Sequence, residues 1–195
     1  MSFDASLIGE KEGSGAEHTV HEIIGEPDKV VKIPHFGPRA FGAHAEQIKE
    51  DIATTEAHFP GLILPTEVHG SRKDYHIIQK RLPKGSRELT PSDLLQRGVR
   101  EKFERLLSMN RVLINETGSS LELLGRSGGV GIMLGAPKLG NVFVTKEREI
   151  ILPDTTLMQI KKNPYHRFCY ELWRALIQEH FINEQGVGYD TSLSQ

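Results

Sequence analysis

Gly13-Ser14-Gly15-Ala-Glu-His18-Thr-Val20, followed twelve residues later by Lys32 in Val30-Val-Lys-Ile33, is the stretch whose residue types could do chemistry. Small residues at a tight turn let backbone N–H groups approach phosphate oxygens closely, and a lysine on a neighbouring strand supplies a point charge against them. Together they describe a phosphate clamp. Taken alone, each part has a bland reading: Gly13-Ser-Gly15 as a hairpin turn, Lys32 as a surface lysine. What decides is whether further groups follow in an order that phosphate chemistry needs.

The elements that must position such a clamp can be read from pattern. Ile8 to Ile24 reads as two strands around the Gly13–His18 turn, and Lys29 to Ile33 as a third strand. Pro34 to Gly42 reads as a loop, and Ala43 to His58 as a charged helix closed by Pro60. Leu62–Leu64 and Tyr75–Gln79 are two more expected strands, and Pro83–Ser86 a linker. From Val99 the period changes. Val99, Phe103, Leu106, Leu107, Asn110, Leu113 and Ile114 share one helical face, which Ser120–Leu124 is expected to extend.

Gly125 to Gly140 is expected to be loop with short strands, and Asn141–Val144 with Glu149–Leu152 a hairpin. A final helix starts at Asn163-Pro164 and runs to about Gly186, with Phe168, Leu172, Trp173, Leu176, Ile177 and Phe181 as its apolar stripe. The last residues, 186–195, are expected to fray. The class is α+β.

Composition narrows the function. A charged fraction of 26% and a net charge of −2 offer no bulk attraction for nucleic acid or an anionic membrane. No apolar run reaches the ~18 residues of a membrane span, and no basic-then-apolar leader opens the chain. One cysteine, Cys169, allows no internal disulfide and suits a reducing compartment. Nine histidines show no metal-ligand spacing. The expectation is a soluble, cytoplasmic protein.

The order of motifs resembles a protein kinase, with His18 where the third glycine of G-x-G-x-x-G-x-V would stand and Lys32 as the lysine of V-A-I-K. The resemblance implies a helix glutamate for Lys32, and Glu50, ten residues before Pro60, takes that role ahead of Glu46. It further implies that Asn141 and Asp154, thirteen residues apart (154 − 141), bind Mg²⁺ with ATP phosphates completing the shell. It also implies that Lys138, three before Asn141, stands beside the transferred phosphate. Gly13, Ser14, Gly15, Val20, Lys32, Ile78 and Gln79 line the nucleotide. On this reading residues 1–82 form an N-lobe, 83–87 a hinge and 88–195 a reduced helical C-lobe.

The chain also departs from the pattern. The catalytic aspartate of H-R-D should stand five before Asn141, and that position is Ala136. D-F-G reads Asp154-Thr155-Thr156, and no A-P-E segment is visible in the 41 residues (195 − 154) that follow Asp154. Such reductions resemble the short kinases that bacteria inject as type III effectors, of the HopBF and OspG kind, and the YrbL-like short kinases. The resemblance implies transfer of the ATP γ-phosphoryl group to a protein Ser/Thr, with secretion into a host cytosol. A host heat-shock chaperone is the substrate that the HopBF likeness implies.

The stand-in for the missing base is expected from Asp190 or from a partner. A pseudokinase, binding ATP without phosphotransfer, is the competing reading, favoured by Ala136 and Thr155-Thr156. A small-molecule kinase of the aminoglycoside or choline type ranks last, because the chain lacks the H-x-D aspartate and large helical lobe of those enzymes.

Overall fold

A computed structural model describes residues 3–14, 18–35, 45–72 and 74–183. The first half is a five-stranded antiparallel sheet with one helix. Strands β1 (Ile8–Ser14), β2 (His18–Ile23), β3 (Lys29–Pro34), β4 (Thr66–Ser71) and β5 (Asp74–Lys80) lie in the order β1-β2-β3-β5-β4. Helix α1 (Ala45–His58) connects β3 to β4. Because side chains alternate along a strand, Ile23, Val31 and Ile78 bury one face with Phe3, Leu7, Ile8 and Ile33. The other face turns Ile77 and Tyr75 toward Ala45 and Ile48 of α1. Lys32 is on that second face, opposite Val20 of β2 and Ile77 of β5.

The expected strand at 62–64 is displaced to Thr66–Ser71. Leu62 and Ile63 leave the sheet to pack on the larger core, where Ile63 bridges to Leu152 in parallel and Leu62 accepts from the Leu152 amide at 2.8 Å. Three apolar residues between Pro60 and Pro65 are thus spent on joining the halves of the molecule.

The second half opens with β6 (Arg87–Leu89) and is built on α2 (Arg97–Thr117). All seven residues of its expected face are buried. Gly118 then adopts φ 74, a left-handed cap that ends the helix. Ser120–Leu121 therefore does not extend α2: it forms β7, paired antiparallel with β10 (Leu157–Met158). Asn110 is the polar member of the buried face, and its side chain bonds Ser120 Oγ at 3.0 Å and the Leu121 amide at 3.0 Å.

The expected glycine-rich loop is instead helix α3 (Gly125–Met133). Its glycines let it lie directly on the returning chain, since a Cβ on Gly128 or Gly131 would stand 2.6 Å from the Lys138 carbonyl oxygen or 2.5 Å from that of Ala136. Strands β8 (Leu139–Val144) and β9 (Ile150–Ile151) form the expected hairpin, with β6 on its outer edge. Helix α4 (Pro164–Ile177) is capped by Asn163, whose Oδ1 accepts from Tyr165 N at 3.0 Å, and one π-helical turn (Gln178–Asn183) follows. Its buried stripe is Tyr170, Trp173, Ile177 and Phe181, whereas Phe168 and Leu172 are exposed. The stripe is rotated from expectation because α4 meets α2 along the 170/173/177 line.

The main core runs from Phe59 through α2, β8 and α4, so the residue after α1 is plugged into the second half. Among the described residues no helix is long and apolar enough to cross a membrane.

Candidate functional site

Lys32 and Asp154 are separated by 122 residues (154 − 32), yet the fold brings them to one cleft of about 160 Å³ between the sheet, α1 and the segment after β9. The Lys32 ammonium donates to the Pro153 carbonyl at 2.7 Å. Burial lowers the lysine's pKa, and the Asp154 carboxylate beside it opposes that shift. Burial pushes the Asp154 carboxyl up, but Lys32, the Thr156 amide and hydroxyl, and His18 together hold it below the usual carboxylate range. Asp154 Oδ1 accepts from Thr156 N at 3.0 Å and Thr156 Oγ1 at 2.8 Å. Lys32 and Asp154, both only partly exposed, therefore share one small space.

The sheet supplies the wall above them. His18 and Val20 from β2, and Ile77 and Gln79 from β5, line the cleft. Gln79 is buried and donates to Thr66 Oγ1 at 2.8 Å. His18 stands 3.3 Å from the Tyr75 hydroxyl, and its pKa falls to about 4 through burial and the nearby Lys32 charge. It is neutral at neutral pH, so it adds a hydrogen-bonding group and no charge.

The expected site residues divide. Lys32, Asp154, Val20 and Gln79 line the cleft. Ile78 does not: it points into the opposite face with Val31, and its neighbour Ile77 takes the lining position. Glu50 is exposed, and the acid that α1 presents to the cleft is Asp51. Asp51 accepts from Gln47 Nε2 at 2.8 Å, and burial raises its pKa against the bonds from Gln47 and the Leu157 amide.

Gly13 pairs with Val20 in β1 and Ser14 Oγ is 3.4 Å from His35 Nε2, both outside the lining. Gly15 and Asp190 lie outside the described residues. Lys138 is ion-paired with Glu88 of β6 instead of lining the cleft. Asn141 also stands behind the lining, its Nδ2 donating to the Glu122 carbonyl at 2.7 Å. Gly125, at φ 64, makes room for it, since a Cβ there would stand 2.8 Å from Asn141 Oδ1.

Ala136 is exposed beyond α3. It lies in the segment between α3 and β8. Glu122, which the sequence reading missed, lines the cleft from the end of β7. The available signal was the helix break at Gly118, after which Ser-Ser-Leu-Glu reads as a strand ending in an acid.

Among the described residues no group of three or more His, Cys, Asp or Glu side chains is arranged to hold a metal ion. Mg²⁺ carried by phosphates needs only one or two protein carboxylates, and Asp154 with its hard oxygens fits that demand. A second cavity, between α2 and α4, holds about 30 Å³, room for water only, and shares no residue with the cleft. The lysine and carboxylates brought together in the first single it out. No protein-family model matches the chain, and comparison with curated proteins finds none similar to it.

Proposed function

We propose that the chain is a minimal, atypical ATP-dependent protein kinase that transfers the γ-phosphoryl group to a Ser/Thr hydroxyl. The observation that carries this reading is the convergence of Lys32, from the middle strand of the antiparallel sheet, with Asp154, from the segment after a distant hairpin. Phosphoryl transfer asks little covalent chemistry of a protein and much positioning and charge neutralisation. Mg·ATP supplies the transferable group and a divalent charge.

The chain's own residues do the rest. Lys32 leaves the Pro153 carbonyl for phosphate oxygens, Asp154 offers its carboxylate to the metal, and the Thr156 bonds keep that carboxylate oriented and ionised. Val20, Ile77 and Gln79 give an apolar wall with one polar contact for the base. The acceptor is a protein. The likeness to HopBF-type effectors makes a host heat-shock chaperone, reached through type III secretion, the first candidate.

The alternative is a pseudokinase. It is favoured by Glu50 facing solvent while Asp51 accepts from Gln47 and the Leu157 amide.

The test is Mg²⁺-dependent ATP turnover and autophosphorylation, with and without eukaryotic lysate, comparing wild type with Lys32→Ala and Asp154→Ala. Loss of label by roughly 10²–10³-fold in each variant is expected, the scale for removing one preorganised charge-stabilising group. Tight Mg·ATP binding with no label moved in any condition would give the field to the pseudokinase. Label confined to small metabolites would point to the small-molecule class.

A further inference from the structure

The cleft holds three carboxylates, Asp51, Glu122 and Asp154, and they are not equivalent. Asp154 carries two bonds from Thr156 and faces Lys32, so it is a held anion and a poor proton acceptor. Asp51 is engaged by Gln47 and by the Leu157 amide, which ties α1 to β10. Glu122 is the one lining residue that comes from the long stretch between β5 and Pro153.

Its backbone is pinned on both sides. Leu121 pairs with Leu157 and donates its amide to Asn110 Oδ1 at 3.0 Å, and the Asn141 amide donates to Leu123 O at 3.3 Å. The Glu122 carbonyl takes Asn141 Nδ2 at 2.7 Å, and the same nitrogen is 3.5 Å from Glu122 Oε2. A carboxylate on so fixed a backbone, lining the same cleft as Lys32, is preorganised to meet an incoming group there.

We propose that Glu122 receives the proton of the acceptor hydroxyl, an assignment that rests on the kinase reading above. The acceptor oxygen forms a bond to the γ-phosphorus as the bond from that phosphorus to the β,γ-bridging oxygen breaks. ADP leaves with the electron pair, and the hydroxyl proton passes to a Glu122 carboxylate oxygen and on to solvent. Atoms and charge balance with ATP and the acceptor alone.

The experiment compares wild type, Glu122→Gln, Glu122→Asp and Asp51→Asn by two readouts. Calorimetric titration with Mg·ATP reads nucleotide affinity, and single-turnover autophosphorylation reads transfer. Glu122→Gln is expected to bind Mg·ATP as wild type does while transfer falls by roughly 10²–10⁴-fold, the usual range for a lost general base. Glu122→Asp, which keeps the carboxylate, is expected to recover most of that loss, as a merely structural side chain would not.

Unchanged transfer in Glu122→Gln overturns the assignment, and so does a collapse of Mg·ATP affinity in that variant, which would make Glu122 a metal or folding residue. The loss appearing in Asp51→Asn alone moves the role to Asp51. Failure of the wild type to bind Mg·ATP, or binding without any transfer, overturns the kinase reading first and the assignment with it.

Discussion

His18 shows what a single side chain in the cleft does to the whole. Its folded pKa of about 4 lies below the ordinary histidine value of 6.5, because burial and Lys32 disfavour the imidazolium more than Asp154 favours it. Between those two pH values the unfolded chain binds more protons than the native one, so stability falls as pH drops from 6.5 to 4. The loss is on the order of 2 kcal/mol after allowance for partial solvent contact. Thermal melts at pH 7.0 and pH 4.5 should therefore differ more in wild type than in His18→Gln, and an equal drop in both would discard the account. Asp154, whose pKa is depressed, adds its own loss only when pH falls below the ordinary carboxylate value of 3.8.

At this scale the cleft lining was legible to within one position. Lys32 and Asp154, both chosen from the sequence, line the cleft, whereas Glu50 and Ile78 do not and their neighbours Asp51 and Ile77 do. Counting from a proline gives the helix turn or the strand, and not the face. A shift of one residue moves a side chain about 100° around a helix or across a sheet.

Elements tell a different story. The buried face of α2 followed directly from its period, because seven residues over four turns leave little freedom in where the stripe points. Helix α3 was not legible, because five glycines between 125 and 135 read as loop on propensity alone. Tertiary contact overrides that preference where backbone needs to approach backbone. A matched pair of substitutions tests the explanation. Gly129 has nothing within 4 Å of a built Cβ, so Gly129→Ala should stabilise by up to about 1 kcal/mol through helix propensity. Gly131→Ala gains the same propensity but meets the Ala136 carbonyl oxygen, and should destabilise by about 1–3 kcal/mol. Urea melts of the two variants would read opposite signs. Equal signs would mean that α3 is not held by its contact with the 136–138 segment.

The whole molecule is an antiparallel sheet with its own small cores, joined to a larger helical core by Phe59, Leu62 and Ile63. The β-rich first half and helical second half were readable, since the strand period gives way to the helical one at Val99. The joint was not, because three apolar residues between prolines look like one more strand. A ligand held between the halves would couple them. On the proposed reading, Mg·ATP at a hundred times its Kd should stabilise the fold by about 2.7 kcal/mol by mass action. Differential scanning calorimetry should show this as a rise in Tm for wild type that Lys32→Met lacks, and a rise of equal size in both would place the nucleotide elsewhere.

The bond from Lys32 to the Pro153 carbonyl also makes the cleft self-reporting. An amide carbonyl that loses an ammonium donor stretches at higher frequency, and its carbon resonance moves with it. Isotope labelling at Pro153 would turn that oxygen into an infrared and magnetic-resonance gauge of whether the lysine is at rest or engaged. The gauge needs no substitution in the site and no knowledge of the acceptor, so occupancy could be followed in the native chain while candidate substrates are offered one by one.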